Sequence, residues 1–452
     1  MIRRTYATVI AKVVSMLRVK HGIRSLVAIS VACGCSQSTD DHFEMVEIVD
    51  SAGVTLVRSL YADFDTLAVQ LIEESRIGVA EGAMEYQFHR ILGLTVDVLG
   101  RTFVANGGTS TVRVYDVGGR WVRDIGRRGS GPGEFRGLST PAIWRDSLGL
   151  FDTENLRFAL FDTAGTFLDS WSMLLQDGRV IYPLRGGPAG WTIWIANLGR
   201  AREPRPAGTV VQDTVWLGHA DLAALAAHTR RGTAVDSAIL GTVPWPNTAA
   251  KWAFDDEEGL RDWAPLFGPS RRWALDDAGR IYLSSGYPYQ IDIFDETGVH
   301  VRRVTRAFHQ RLVTDTEVKE YLTRLAAGPP DAFSEQRQAR ERRHAEVYRA
   351  DYFSATRGLL ASRSGEIWVE RPDAVFDIGN YESIPGFVPG PRYWDAFDAT
   401  GRYEFTVRMP DRFTARWIDR RTVVGVLRDD NDVEYVVRYR VEEVSRAAAS
   451  PR

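Results

Sequence analysis

Few side chains in this sequence are spaced as a catalytic site would require. The eight histidines include no pair at metal-ligand spacing. The glycine-rich run 126–133 is not followed by Lys-Ser/Thr, as a phosphate-binding loop would be. No zinc-protease, nucleophile-elbow or calcium-loop motif occurs. The best candidates are oxygen-bearing side chains that follow apolar, strand-like runs, namely Asn106, Asp152, Asn155 and Asn197.

Both cysteines of the chain, Cys33 and Cys35, lie near its beginning. The rest of the chain therefore has no disulfide, thiolate metal site or cysteine nucleophile. A charged stretch precedes the short apolar run Leu26 to Ala32, which is typical of a secretory signal and too short to span a bilayer.

The segment Ala32 to Ser36 (ACGCS) resembles the lipobox of bacterial lipoproteins, which implies that one cysteine carries a lipid. Cys35 fits better, because Gly34 precedes it and Ala32 is the third residue back. Cys33 remains the alternative, and two unmodified thiols in a plain cleaved signal are a further one. We expect a membrane-anchored protein of the cell envelope, either periplasmic or at the outer membrane.

The charge of the chain is nearly balanced, with 56 basic and 59 acidic residues. There is no strong basic field, so we expect no nucleic-acid partner. Hydrophobic residues make up 44% of the chain, which is enough for a large core.

An ungapped internal repeat joins residues 94–125 to residues 273–304. The shared positions are Asp97, Gly100, Arg101, Gly107, Asp116, Gly119, Val122 and Arg123, which recur as Asp276, Gly279, Arg280, Gly286, Asp295, Gly298, Val301 and Arg302. Each copy is predicted to form four short strands joined by Asp/Gly turns, which is the unit of a β-propeller blade. Asp116, Asp162, Asp295 and Asp398 recur at one position, which predicts a turn-forming role.

Weaker copies begin near residues 142, 182, 359 and 415, which predicts six blades. The last copy has only three convincing strands, and residues 66–72 have no blade of their own. We expect this segment to close the ring as the outer strand of the last blade. A hairpin is predicted over Val46 to Leu56, with its turn at Asp50 to Gly53.

The run Ile125 to Phe135 (IGRRGSGPGEF) resembles the loop between blades of the NHL-repeat class of six-bladed propellers. The resemblance covers residues 62–442, and more narrowly it is to six-bladed-propeller lipoproteins of environmental bacteria. It implies the fold and no particular reaction. Some propeller enzymes hold zinc with histidines from several blades, but no two blades here have equivalent histidines. Related lactonases hold calcium at the funnel mouth, so Asn106, Asp152, Asn155 and Asn197 are candidate funnel-loop contacts, with turn formation as the alternative.

Two insertions, residues 218–269 and 307–352, are predicted to be mostly helical. The first contains an Ala-rich helix at Asp221 to His228. In the second, Thr314 and Glu317 form a capping-box pattern that starts a helix through Leu325, and a second helix follows from Asp331 to Tyr348. This helical hairpin carries a basic cluster proposed to bind a partner, consisting of Arg337, Arg340, Arg342 and Arg343.

The sequence therefore predicts an all-β, six-bladed β-propeller with two mostly helical insertions, closed by an N-terminal strand. The domains are a lipoprotein signal peptide (1–35), a polar tether with a hairpin (36–61), the propeller (62–442) and a disordered tail (443–452). We expect a monomeric, envelope-anchored binding module for a protein, peptide or glycan, with no cofactor. The alternative is a hydrolase or lyase with an axial site, for which calcium is the candidate cofactor.

Overall fold

The computed structural model describes one compact unit, within residues 44–452, and the described residues fall into sixteen ranges. These are 46–60, 69–144, 146–174, 179–187, 190–197, 210–211, 216–220, 242–244, 251–256, 259–263, 267, 272–284, 286–296, 298–326, 350–371 and 392–444. The fold of these residues is all-β, since a 3-10 turn at Met84–Tyr86 and one short α-helix are their only helical elements.

The N-terminal strands are β1 (Val46–Ser51), β2 (Val54–Ser59) and β3 (Val69–Ile77). β1 and β2 form the predicted antiparallel hairpin. Its turn is the predicted one, in which the Gly53 amide donates to the Asp50 carboxylate at 3.4 Å. Gly53 has a φ of +84°, a conformation that glycine adopts at low cost.

Sheets 1 and 2 each have four antiparallel strands in chain order. The strands of sheet 1 are β4 (Ile91–Val96), β5 (Thr102–Asn106), β6 (Thr111–Tyr115) and β7 (Trp121–Ile125). A short parallel pair, β8 (Arg127–Arg128) and β9 (Glu134–Phe135), follows. The strands of sheet 2 are β10 (Ala142–Trp144), β11 (Ser147–Asp152), β12 (Arg157–Asp162) and β13 (Phe167–Ser172).

Sheet 3 has the order β14-β15-β17-β18, and a separate sheet has the order β16-β19-β20. Their strands are β14 (Arg179–Gly187), β15 (Gly190–Asn197), β16 (Val210–Val211), β17 (Trp216–Ala220), β18 (Thr242–Pro244), β19 (Lys251–Asp256) and β20 (Gly259–Trp263). The prediction of a mostly helical insertion at 218–269 is wrong for its described residues, which lie largely in strands. The predicted helix at Asp221 to His228 lies outside the described residues.

Sheets 4 and 5 both contain a four-strand unit in chain order, and sheet 4 has six strands in all. The strands of sheet 4 are β21 (Arg272–Leu275), β22 (Ile281–Ser284), β23 (Gln290–Phe294) and β24 (His300–Arg306). Those of sheet 5 are β25 (Gly358–Ala361), β26 (Ile367–Arg371), β27 (Arg392–Phe397) and β28 (Tyr403–Met409). β2 pairs in parallel with β24, from Thr55 beside Arg302 to Ser59 beside Arg306, so the N-terminal hairpin widens sheet 4.

Sheet 6 consists of β29 (Phe413–Asp419), β30 (Thr422–Arg428), β31 (Glu434–Glu443) and, at its outer edge, β3. β3 pairs antiparallel with β31 from Val69 beside Glu443 to Ile77 beside Val436. The N-terminal segment predicted to supply this edge therefore does so, although its strand extends further than residue 72. Residues 66–68 lie outside the described residues.

The described helix, α1 (Asp315–Ala326), begins where the sequence predicts. The Thr314 amide donates to Glu317 at 2.9 Å, and the Glu317 amide donates to the Thr314 hydroxyl at 3.3 Å. This reciprocal pair is the predicted capping box. The predicted second helix and its four arginines lie outside the described residues.

The hydrophobic core lies between neighbouring sheets. One cluster joins Phe103 and Ile125 of sheet 1 to Leu148 and Phe161 of sheet 2. Similar clusters lie between sheets 4 and 5, sheets 5 and 6, and sheets 6 and 1. Sheets 1, 5 and 6 thus bury both faces, because each packs between two others.

The Asp/Gly turns between third and fourth strands have one geometry. The amides of Gly119, Gly165, Gly298 and Gly401 donate to the carbonyls of Asp116, Asp162, Asp295 and Asp398, at 2.9 to 3.0 Å. The predicted turn-forming role of these four aspartates is confirmed. We call the end of a sheet where its first strand begins the upper end; these turns lie at the opposite, lower end.

Candidate functional site

Asn106, at the upper end of sheet 1, is buried and hydrogen-bonded both to its own loop and to the segment before β4. Its side chain accepts the His89 amide at 2.9 Å and donates to the Thr109 hydroxyl at 3.0 Å. The Thr109 hydroxyl lies 2.7 Å from that of Thr111. Asn106 therefore fixes the loop between β5 and β6.

Asp152 and Asn155, at the upper end of sheet 2, contact each other directly. The Asn155 amide group donates to Asp152 at 2.6 Å, and the Gly137 backbone amide donates to the same carboxylate at 2.9 Å. Asp152 is fully buried. Within the described residues, no hydrogen bond joins either side chain to Asn106. Asn197 ends β15, and its side chain lies outside the described residues, as do Cys33 and Cys35.

A different set of side chains gathers at the upper ends of sheets 4 and 5. Five arginines come from the ends of separate strands there: Arg272, Arg306, Arg357, Arg371 and Arg392. They lie beside two carboxylates, Glu370 and Asp395, and form two clusters. No pattern in the sequence indicates them, because they come from distant segments of the chain and none belongs to the repeated pattern.

The Asp395 cluster lies between sheets 4 and 5 and is fully enclosed. Asp395 Oδ1 is 2.8 Å from Arg306 Nη1 and 3.2 Å from Arg371 Nε. The Thr406 hydroxyl donates to Oδ1 at 2.6 Å, and the Tyr289 hydroxyl donates to Oδ2 at 2.8 Å. Four short contacts thus hold one buried carboxylate.

The Glu370 cluster lies at the upper end of sheet 5 and includes residues of sheets 4 and 6. Glu370 Oε1 is 3.3 Å from Arg357 Nη1 and 3.7 Å from Arg392 Nη1. Arg272 Nε donates to the carbonyl oxygen of Arg357, which brings a third guanidinium beside the first. Arg392 also donates to the Thr414 hydroxyl of sheet 6 at 3.3 Å.

The two clusters differ in their electrostatics. Burial lowers the pKa of Arg306, but the combined effects of Asp395, Tyr403 and Tyr289 outweigh burial, so the pKa of Arg306 is raised overall. Burial also lowers the pKa of Arg272; the nearby charge of Arg357 lowers it further, and Glu370 does not compensate. Burial, followed by the charge of Asp395, raises the pKa of Tyr289 well above its usual value. Because the charge of Arg357 lowers the pKa of Arg272 more than Glu370 raises it, the surroundings of Arg272 are electropositive.

This arrangement suits the recognition of anions better than acid–base catalysis. Arginine remains protonated in proteins and presents a planar fork of donors to carboxylates or phosphates. Within the described ranges, no three His, Cys, Asp or Glu side chains are grouped so as to hold a metal ion.

None of the helices in the described ranges is both long and apolar enough to pass through a membrane. No protein-family model and no curated protein matches the chain.

Several solved structures are similar in fold. A member of the DUF4221 family from Bacteroides vulgatus is 9% identical, with a TM-score of 0.48 over 83% of this chain and 99% of that one. An exported protein from Bacteroides fragilis is 10% identical, with a TM-score of 0.44 over 86% of this chain and 99% of that one. Virginiamycin B lyase from Staphylococcus aureus is 9% identical, with a TM-score of 0.37 over 82% and 99%.

Proposed function

We propose that this chain is a lipid-anchored protein of the cell envelope, a six-bladed β-propeller of the NHL-repeat type that binds a protein, peptide or glycan partner. The observation that carries the proposal is the set of five arginines at the upper ends of sheets 4 and 5. Insertion 307–352 leaves from the same end, since it connects the end of β24 to the start of β25. Insertions in repeat proteins commonly form the binding face.

Contacts between the first strands support a closed ring. β4 contacts β10 and β29, β10 contacts β14, and β25 contacts β21 and β29. These contacts support an order in which sheets 4, 5, 6, 1, 2 and 3 follow one another. The remaining junction, between sheets 3 and 4, completes the proposed ring.

Arg363, in the lower turn of sheet 5, contacts three other sheets. Its guanidinium donates to the Val96 carbonyl of sheet 1 and lies 5.7 Å from the centre of the Trp417 ring of sheet 6. Its own carbonyl accepts the Asp277 amide of sheet 4 at 3.3 Å. A residue that contacts this many sheets is expected near the axis of a propeller.

The binding role is tested by removing the insertion. The base of the insertion is fixed by hydrogen bonds from Val313 to Asp351 and from Phe353 to Arg311, each 2.9 Å long. Residues 315–349 can therefore be replaced by a short Gly/Ser linker. We expect this variant, and one in which Arg337, Arg340, Arg342 and Arg343 are changed to Glu, to lose a partner that the intact chain captures from envelope extract.

The matched control changes an exposed surface at the other end. Val98, Leu99 and Val117 at the lower end of sheet 1 are 73%, 69% and 63% exposed, and a triple change to Ser should leave capture intact. Unchanged capture by the deletion variant would contradict the proposed binding surface.

The lipid anchor is tested separately. Metabolic labelling with a fatty acid should disappear when Cys33 and Cys35 are both changed to Ala. The two single variants then identify the modified cysteine. Labelling that persists in the double variant would overturn the anchor.

A further inference from the structure

The chain enters the described fold at the upper end of sheet 4. β24 is the fourth strand of its four-strand unit and ends at the upper end, where Arg306 lies beside Ser59 of β2. Val46, the first residue of β1, pairs with Ser59. The residues that precede β1 therefore join the fold at the same end from which insertion 307–352 leaves.

The short connection limits how far this end can lie from a lipid anchor. Val46 follows Cys35 by eleven residues and Cys33 by thirteen. Even when fully extended, a chain of this length spans no more than about 45 Å. An anchor on either cysteine therefore favours the upper end as the end nearer the membrane.

Exposed apolar side chains lie at this end. Leu60, which follows β2, is 49% exposed, and Leu312 and Tyr352 at the base of the insertion are 58% and 38% exposed. Leu312 and Tyr352 pair through an antiparallel bridge. The Tyr287 ring, from the loop between β22 and β23, stacks on the Tyr352 ring with 6.4 Å between their centres. We call Leu60, Tyr287, Leu312 and Tyr352 the upper apolar surface.

The residue types of the upper apolar surface suit contact with lipid. Leucine gains free energy when it is buried among acyl chains, and tyrosine places its ring at the membrane interface while its hydroxyl stays in water. Single exposed apolar side chains are common on proteins and need no partner. Here they occur together with the entry of the chain that leads to the proposed anchor.

A second exposed apolar set lies at the opposite end of the fold. Val98, Leu99 and Val117 are more exposed than the upper set, but they belong to the lower turns of sheet 1. The chain before β1 does not enter from that end. Exposure alone would favour the lower end as a membrane contact, whereas the chain entry favours the upper end.

We propose that the upper apolar surface rests on the lipid bilayer that holds the anchor. The upper end then faces the membrane, so the partners of insertion 307–352 are expected at or near the membrane surface. This proposal rests on the proposed lipid anchor and adds the orientation of the protein.

Fluorescence quenching in vesicles tests the orientation. The lipidated chain is used with the other cysteine changed to Ala, which leaves no free thiol. Leu312→Cys is labelled with a thiol-reactive fluorophore, and the protein is reconstituted in phosphatidylcholine vesicles that contain spin-labelled phosphatidylcholine. Val98→Cys, labelled in the same way, is the matched control at the lower end. We expect the spin-labelled lipid to quench the fluorophore at residue 312 and to leave the fluorophore at residue 98 unchanged.

Further variants separate a contact made by the surface from proximity imposed by the anchor alone. With the fluorophore at residue 312, the double change Leu60→Ser and Tyr352→Ser should cause the loss of most of the quenching, because the side chains that contact lipid are removed. The double change Leu99→Ser and Val117→Ser should keep the quenching. All four positions are exposed, so we expect folded protein, as checked by circular dichroism.

Quenching at residue 98 that equals or exceeds quenching at residue 312 would overturn the proposal. Quenching at residue 312 that survives the loss of Leu60 and Tyr352 would also overturn it. Fatty-acid labelling reports the anchor independently of the fluorophore. A chain that carries the lipid but is not quenched at residue 312 leaves the anchor in place and refutes only this inference, whereas a chain without the lipid contradicts both.

Discussion

Sheets 1 and 4 contain the same repeated sequence, and their upper ends carry different residues. At the lower end, Asp97 accepts the Arg101 amide at 2.8 Å, and its counterpart Asp276 accepts the Arg280 amide at 2.9 Å. At the upper end, the residue before the repeat is Gly93 in sheet 1 and Arg272 in sheet 4. The aspartate turn shared at the lower end maintains the fold, whereas the arginine at the upper end is found only in sheet 4.

The outer edges of the two sheets also differ. In the described residues, β7 is the last strand of sheet 1, whereas β24 of sheet 4 is covered by β2. Val57 of β2 is buried in the core cluster that contains Val304 and Phe397. The repeated sequence alone therefore does not determine which strand forms the outer edge of each sheet.

The largest expected effect is on stability, when the aspartate shared by the lower ends of sheets 1 and 4 is removed. We expect Asp276→Ala to lower the free energy of unfolding by about 3 kcal/mol and Asp97→Ala by about 2 kcal/mol, because each leaves its arginine and backbone donors without an acceptor. The difference arises because Asp276 also accepts the Tyr282 hydroxyl at 2.8 Å, whereas the corresponding residue of sheet 1 is Phe103. Urea denaturation of both variants measures it. A costlier Asp97→Ala would contradict this account.

Two glycines test how each sheet packs on the next. Gly165 packs on sheet 1 and Gly401 on sheet 4, with φ of +94° and +88°. A Cβ atom would lie 3.1 Å from Ile125 at the first and 2.5 Å from Val304 at the second. We expect alanine to cost about 1 kcal/mol at residue 165 and about 2 kcal/mol at residue 401, as measured by denaturation. Equal losses of stability in the two alanine variants would show that the neighbouring strands shift to make room for the added methyl group.

Exchanging one hydroxyl makes the two lower ends more alike. Tyr282→Phe should destabilise the protein by about 1 kcal/mol, since it removes one buried hydrogen bond to Asp276. The reverse change, Phe103→Tyr, places a hydroxyl near Asp97 and should cost less. Denaturation midpoints of the two variants, compared with the parent, decide the order.

The smallest expected effect depends on pH. The pKa of Asp419 is raised by burial, and the charges of Glu366 and Asp277 raise it further against the opposing effect of Arg363. The folded protein therefore binds a proton more readily than the unfolded chain, and stability is lost as pH rises from the usual aspartate pKa through the raised one. Asp419→Asn should then raise the melting temperature by about 1 °C at neutral pH and have no effect at acidic pH.

The sheet 1 counterpart of Asp277 is Val98. Asp277→Val should bring the pKa of Asp419 closer to its usual value, which a carboxylate NMR titration can follow. An unchanged titration would show that burial alone sets this pKa.

The local parts of the fold were predictable from the sequence. The turns at Asp116 and Asp295, the capping box at Thr314 and the hairpin at Asp50 each depend on neighbouring residues, and all are confirmed. The edge strand β3 was predictable by elimination, because the last copy of the repeat lacked a strand. The parallel pairing of β2 with β24 was not, because no periodicity in either segment indicates the other.

The candidate site was much harder to predict. Its arginines come from the ends of separate strands, and only tertiary packing brings Arg272 beside Arg357. Asn106 and Asp152 were chosen for their chemistry, yet their hydrogen bonds join the loops and connecting segments of their own sheets. The first insertion was misjudged because its Ala-rich segment suggested helix, whereas strands β18 to β20 lie within it.

The pairing of β3 with β31 has a consequence for how the chain folds. Val69 pairs with Glu443, so a strand from near the start of the protein must wait for a strand from near its end. Contacts this distant in sequence slow folding, since a long loop must close before they form. We expect sheets 1 and 2, whose strands are consecutive, to form early, and sheet 6 to be completed last. Until then, β31 presents an unpaired edge, the kind of edge to which other chains add during aggregation.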